Sequence, residues 1–322
     1  MTNPDRLSAP PGTWRLGRVA GVDLLIRPSL LLMAVVLVSL FAPRFDDGST
    51  SGQQTNAYVL AALFVLALYI SVLVHEVAHV VVARRYRMPV ASITLHLLGG
   101  ETAIEGESRR PGQEFWTSVI GPLASLAIGG VAWLIARGLS EGSAHSIVSS
   151  IAIVNVLVAA FNLLPGLPLD GGRVFRAIIW AFSGKESTGT KAAAWLGRIF
   201  AVVAVIVPIL WLIGDRDSSS VADVIVGVLV AWFLWTGASH ALRTADRNAR
   251  LNILYARAIG EAGVEPPADA PMLSAELSGV PLLRAMAATP SDIYRLTESD
   301  GTTYGQLRAD DVDAAYRKGH QS

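Results

Sequence analysis

The sequence predicts an α-helical polytopic membrane protein with six transmembrane helices, a membrane-associated β-hairpin and a small α/β cytoplasmic tail. Three observations carry that prediction. Of the 322 residues, 52% are hydrophobic and only 16% charged, against roughly 25% charged in an ordinary soluble domain. Six stretches approach the ~20 apolar residues that a bilayer-crossing helix needs. Lys and Arg gather in alternate short loops, as the loops on the cytoplasmic side do.

Taken in order, the chain begins polar and shows no short apolar core before a small-residue cleavage site, so no cleaved signal peptide is expected. The spans fall at about 26–43, 57–83, 115–137, 147–164, 192–213 and 220–241. Arg6, Arg15, Arg18 and Arg27 precede the first, and Arg84, Arg85, Arg87, Arg109 and Arg110 follow the second. Arg173, Arg176, Lys185 and Lys191 follow the fourth, and Arg243, Arg247 and Arg250 open the tail. The intervening loops hold little beyond Arg44, Arg137 and Arg216, which puts both termini in the cytoplasm of a multi-pass cell-membrane protein. The stretch "FDDGSTSGQQTN" reads as a polar loop. Alternation over 92–96 and 102–105, with Gly99 and Gly100 between, predicts the hairpin. The predicted domains are therefore 1–245 in the membrane and a charged, Pro-Pro-containing tail at 246–322.

Composition also excludes. Formal net charge is zero, which gives no sign of a nucleic-acid partner. Cysteine is absent, so disulfides and thiolate metal sites cannot form, and any metal must be held by His, Asp or Glu.

Against that background "YISVLVHEVAHVVVARRYRM" (69–88) is unusual, because it sets His75, Glu76 and His79 inside an apolar span. Ionisable groups in the membrane are costly and are functional candidates by default. His75-Glu76-x-x-His79 places two imidazoles four residues apart on one helix face, where both can reach one zinc with the glutamate beside them as general base. The alternative is two histidines packed between helices, but such packing would have to offset a heavy desolvation cost. A catalytic zinc usually takes a third protein ligand. "FNLLPGLPLDGGRVFRA" (161–177) offers Asp170 at a Pro/Gly break, at the same cytoplasmic depth as the histidines. Irregular backbone at that depth is tolerated where it lines a cavity. Read alone, the stretch would be an ordinary turn with Asp170 among the headgroups; beside the histidines it is a candidate ligand.

"HEVAH" followed by "NLLPGLPLDGG" resembles the site-2 protease family of intramembrane zinc metalloproteases, whose second motif is met by Asn162, Pro165, Pro168, Asp170 and Gly171. The resemblance implies one zinc per chain held by His75, His79 and Asp170, with Glu76 as catalytic base. It implies substrate contacts at Asn162 and at the "GPLAS" element, Gly121, Pro122 and Ser125, where serine stands in place of the family's frequent asparagine. Its substrates would be single-span membrane proteins, cut within or near their transmembrane segments from the cytoplasmic side. An exposed edge of the hairpin could receive the unwound substrate as an added strand. The last part of the tail resembles a truncated cystathionine-β-synthase-type (CBS) domain. That implies a regulatory or dimer-forming remnant in preference to a nucleotide sensor. Two other functions compete: a divalent metal-ion transporter and a catalytically silent binder of membrane proteins. The glutamate beside His75 and the single helical break speak against transport, since transporters tend to pair broken helices in repeated halves.

Other polar residues have plainer readings. His96 fits an ordinary interfacial histidine, and His145, His240 and His320 carry no assignment. Asn155 suits a helix-packing hydrogen bond. The tryptophans, mostly near span ends, suit interfacial anchoring.

Overall fold

The computed structural model describes residues 12–45, 51–96, 99–104, 108–214, 221–252 and 254–318. The first part of the expected polar loop, together with Glu105 and His320, lies outside the described residues. The chain divides into two compact units, Met1–Ala238 and Ser239–Ser322.

In the first unit, β1 (Trp14–Val19) and β2 (Val22–Ile26) form a hairpin. Its two turn residues, Ala20 and Gly21, have φ of 50° and 73°, the paired positive values a two-residue hairpin turn requires. A short helix α1 (Ser29–Phe41) runs into a 3-10 turn, Ala42–Phe45, and the long helix α2 (Ser51–Arg85) follows. Next come β3 (Val90–His96) and β4 (Gly99–Ile104), and the helices α3 (Pro111–Gly138), α4 (Ser143–Asn162), α5 (Asp170–Ser183), α6 (Glu186–Gly214) and α7 (Val221–Asn252).

Among the described residues five helices are long and apolar enough to cross a membrane: Ala57–Arg85, Pro111–Gly138, Ser143–Asn162, Glu186–Gly214 and Val221–Ala249. They expose large apolar side chains such as Leu63, Leu66, Leu134, Trp211 and Leu229, the surface a lipid solvent calls for. This is a multi-pass membrane protein. The expected first span differs. Its first residue, Ile26, ends strand β2, and α1 has 13 residues and a length of about 20 Å, short of a ~30 Å hydrocarbon core. An apolar run alone does not separate strand from helix, and here Pro28 marks the change at the helix N-cap.

The four strands form one sheet in the order β1-β2-β3-β4. β2 and β3 run parallel, while β3 and β4 pair antiparallel from Val90↔Ile104 to His96↔Gly99. Gly99 and Gly100 therefore belong to β4 and do not form the connection. Val22, Leu24, Ile93 and Leu95 pack with Val80 of α2 in one apolar cluster, which lays the sheet along the part of α2 that holds the histidines. Arg84 fastens the β1–β2 turn by donating to the carbonyls of Ala20 and Gly21.

Between α4 and α5 the backbone turns through 163–169, with a cis bond at Leu167–Pro168. α6 holds this turn: the Leu167 amide donates to the Ala193 carbonyl at 3.0 Å.

The second unit begins within α7 and continues through α8 (Ala256–Ile259), β5 (Glu261–Ala262), β6 (Met272–Ser274), α9 (Gly279–Ala288), β7 (Ile293–Thr297), β8 (Thr303–Arg308) and α10 (Ala309–Lys318). Its sheet has the order β5-β8-β7-β6 over a core of Leu254, Leu273, Leu282, Tyr294, Leu296 and Leu307.

Candidate metal centre

His75 and His79 stand one turn apart on α2, and Asp170 is the first residue of α5. The break at 163–169 brings that carboxylate to the imidazoles. Asp170 Oδ2 lies 3.1 Å from His75 Nε2 and 3.3 Å from His79 Nε2, and the two Nε2 atoms are 3.2 Å apart. Donors held about 2.0–2.1 Å from a tetrahedral zinc are about 3.3 Å from one another. The triangle therefore has the size of a zinc face. It is the group among the described residues whose donor atoms could share an ion.

The far ring nitrogens are both occupied. His79 Nδ1 is 2.6 Å from the carbonyl oxygen of Thr117, and His75 Nδ1 is 3.0 Å from Ser125 Oγ. Donation from Nδ1 to the Thr117 carbonyl fixes the His79 tautomer in which Nε2 carries the free lone pair, and the Ser125 hydroxyl holds the His75 ring with Nε2 towards the same point, so both rings are oriented as metal ligands usually are. Both acceptors come from α3, whose buried face carries Thr117, Gly121 and Ser125. Gly121 leaves the space in front of the donors. A Cβ there would lie 2.2 Å from His79 Nε2 and 2.6 Å from His75 Nε2, about where the ion itself would sit. Donor type, separation, orientation and this open cradle all fit zinc.

Glu76 is buried on the sheet side. Thr102 of β4 donates its hydroxyl to Glu76 Oε2 at 2.6 Å. A Cβ at Gly100 would approach Glu76 Cγ to 2.4 Å, so glycine is what lets β4 lie against the carboxylate.

The residues expected in the site divide as follows. His75, His79, Asp170, Gly121 and Ser125 converge. Pro122 is buried on α3 next to Gly121, and Asn162 is the last residue of α4. Ser125, expected as a substrate contact, is 1% exposed and hydrogen-bonded to His75. His96 lies in β3, and burial holds its imidazole below the ordinary histidine pKa. Asn155 donates to the Ile151 carbonyl at 2.9 Å and to Ser71 Oγ at 3.3 Å, a packing contact between α4 and α2. Sequence reasoning missed Thr117, which acts through its backbone and so leaves no residue signature. It also missed Thr102, whose signal was its place beside Gly99 and Gly100 in the strand nearest the glutamate.

The profile of peptidase family M50 matches residues 63–142 and 135–207, the segments that supply every donor described above. A putative zinc metalloprotease of Synechocystis sp. is 28% identical over 306 residues, covering 92% of this chain and 76% of its own length. The putative zinc metalloprotease Rip3 of Mycobacterium tuberculosis is 36% identical over 232 residues; the match covers 69% of this chain and spans 57% of Rip3. The solved site-2 protease from Methanocaldococcus jannaschii superposes with a TM-score of 0.51 at 24% identity, over 72% of this chain and 95% of that one. That likeness is one of fold.

Proposed function

The chain belongs to peptidase family M50, the site-2 protease family, and from that premise we propose that it hydrolyses peptide bonds within or near the transmembrane segments of single-span membrane proteins. It is a zinc metalloprotease. The observation that carries the reading is the convergence of two Nε2 atoms and one carboxylate oxygen at 3.1–3.3 Å, with a second carboxylate, Glu76, next in sequence to His75.

Zinc bound by His75, His79 and Asp170 would supply a Lewis acid and lower the pKa of water. Glu76 takes a proton from the attacking water and returns it to the leaving nitrogen. The Thr102 hydroxyl keeps Oε2 engaged and so fixes the direction in which Oε1 points. Ser125 and the Thr117 carbonyl hold the imidazole tautomers through the cycle.

A transmembrane helix hides its carbonyls in internal hydrogen bonds, so a substrate must unwind to be cut. Among the described residues β4 pairs with β3 alone and ends the sheet order. Its outer edge can take an extended substrate by strand addition, and Thr102 and Gly100 put that strand against Glu76. Asn162 and the Gly121–Pro122 step within α3 are proposed to line the substrate path. The Lys and Arg that follow α2 and α4 and open the tail support a cytoplasmic C-terminus and a site open towards the cytoplasm. The tail is proposed as a CBS-like regulatory module that can also join two copies. Transport and silent binding leave a buried carboxylate beside the donor triad without a use.

The test is reconstitution of the full chain with zinc and a panel of single-span proteins, beside Glu76→Gln. General-base loss should lower cleavage by about a hundredfold or more while zinc content holds. Cleavage at the parent rate in the variant would refute the role of Glu76. Metal flux into liposomes without cleavage would favour the transporter.

A further inference from the structure

Asp170 has a positional problem that its own segment does not solve. It follows an irregular turn, so the placement of its carboxylate against α2 must come from whatever fixes the 14-residue helix α5. Two arginines on that helix, three and six residues beyond Asp170, reach the same buried carboxylate. Arg173 Nε donates to Glu114 Oε1 at 3.0 Å, Arg176 donates to the same oxygen, and Ser108 Oγ donates to Oε2 at 2.6 Å. Glu114 is 1% exposed and lies in the first turn of α3. Arg176 also faces Glu186 of α6 at 3.6 Å. Gly189 of α6 lies so close that a Cβ there would be 2.4 Å from the Arg176 carbonyl oxygen.

We propose that Glu114, gripped by Arg173 and Arg176, is a positioning residue for the metal centre. In this role it locks the helix that carries Asp170 onto α3, the helix that orients both imidazoles. The proposal rests on the reading of Asp170 as a zinc ligand. Two features favour positioning over plain stability. Two guanidiniums converge on one buried carboxylate, and buried ion pairs are seldom more stabilising than apolar residues of the same volume. Moreover, α3 holds the Thr117 carbonyl on His79 and Ser125 on His75, so a clamp between α3 and α5 sets all three donors against one reference helix.

The experiment measures zinc affinity by chelator competition, and the melting of the zinc-free protein, on the full chain in detergent. Glu114→Gln should weaken zinc binding about tenfold or more, as loss of outer contacts does. Asp170→Asn should weaken it further. In the Asp170→Asn background, adding Glu114→Gln should change affinity by less than about twofold, because the route runs through the missing carboxylate. A role in stability alone would lower melting and leave this coupling at zero. Should Glu114→Gln not fold, Arg173→Gln, which keeps the Arg176 pair, is read in the same cycle with the same expectation. Parent affinity in the single variant, or a loss of equal size in both backgrounds, would overturn the proposal. If Asp170→Asn itself binds zinc like the parent, the ligand reading falls and the clamp falls with it.

Discussion

Replacing Gly121 by alanine tests the metal centre with a single methyl group. The added carbon would stand 2.2 Å from His79 Nε2, 2.6 Å from His75 Nε2 and 2.6 Å from His79 Cε1. Comfortable heavy-atom contact is about 3.5 Å, so the overlap is about 1 Å in three directions. Two responses are open. If the histidines hold, the methyl fills the space that a zinc at about 2.0–2.1 Å from both nitrogens would need. If α3 recoils instead, Thr117 and Ser125 move with it and both imidazoles lose their orienting partners. Either way the ion is excluded. The zinc-free protein should remain folded, since overpacking by one methyl costs about 1–3 kcal/mol. The assay is zinc per chain by elemental analysis of protein purified in zinc, beside a melting curve and peptide cleavage. We expect zinc to fall below about a tenth of the parent's and cleavage to fall with it. A Gly121→Ala protein with a full zinc complement and parent cleavage would refute the claim that α3 walls the ion site at this residue.

Further expectations separate the residues by role. Thr102→Val removes the 2.6 Å bond to Glu76; it should lower kcat by about ten- to a hundredfold with zinc content unchanged, since hydrogen bonds to charged groups are worth about 1.5–3 kcal/mol. Zinc lost along with activity would instead make Thr102 part of the metal support. His79→Ala should abolish zinc and cleavage together, and a fully metal-loaded variant would remove His79 from the ligand set. Asn155→Ala should cost about 1 kcal/mol of stability, read as a lower melting temperature in detergent, with kcat kept. Lost turnover at parent stability would give Asn155 a chemical role.

The donors were legible because their chemistry is carried by side-chain type. H-E-x-x-H needs only helical spacing to be read, and Asp170 announces itself through the prolines and glycines around it. The geometry between them was not legible. Thr117 works through a carbonyl that any residue would offer. The sheet was half legible. Alternation marks β3 and β4, but β1 and β2 lie almost wholly before the hydrophobic stretch at 26–43, where the arginines of β1 look like the charged flank of a span. Parallel pairing of β2 with β3 joins residues about 70 positions apart, such as Asp23↔Ser92, and no local pattern encodes such a contact. Glu114 was passed over because a lone acid at the head of an apolar span looks like an ordinary helix start, and its two partners lie some 60 residues away.

The choice of partners for the two imidazoles follows from where they are. Metal-binding histidines often donate their second nitrogen to a carboxylate, yet here the acceptors are a hydroxyl and a backbone carbonyl, both neutral. With zinc bound, the carboxylates of Asp170 and Glu76 would set two negative charges against a divalent ion. A third carboxylate would leave it net negative in a low-dielectric setting, where unbalanced charge costs far more than in water. Neutral acceptors give the same tautomer control without that charge. The acid that does lie nearby, Glu114, is balanced separately by Arg173 and Arg176 and reaches the donors only through the helices it joins. Orientation and charge are thereby handled by different residues, which is why the first could be concealed in the backbone of α3 while the second stood plainly in the sequence.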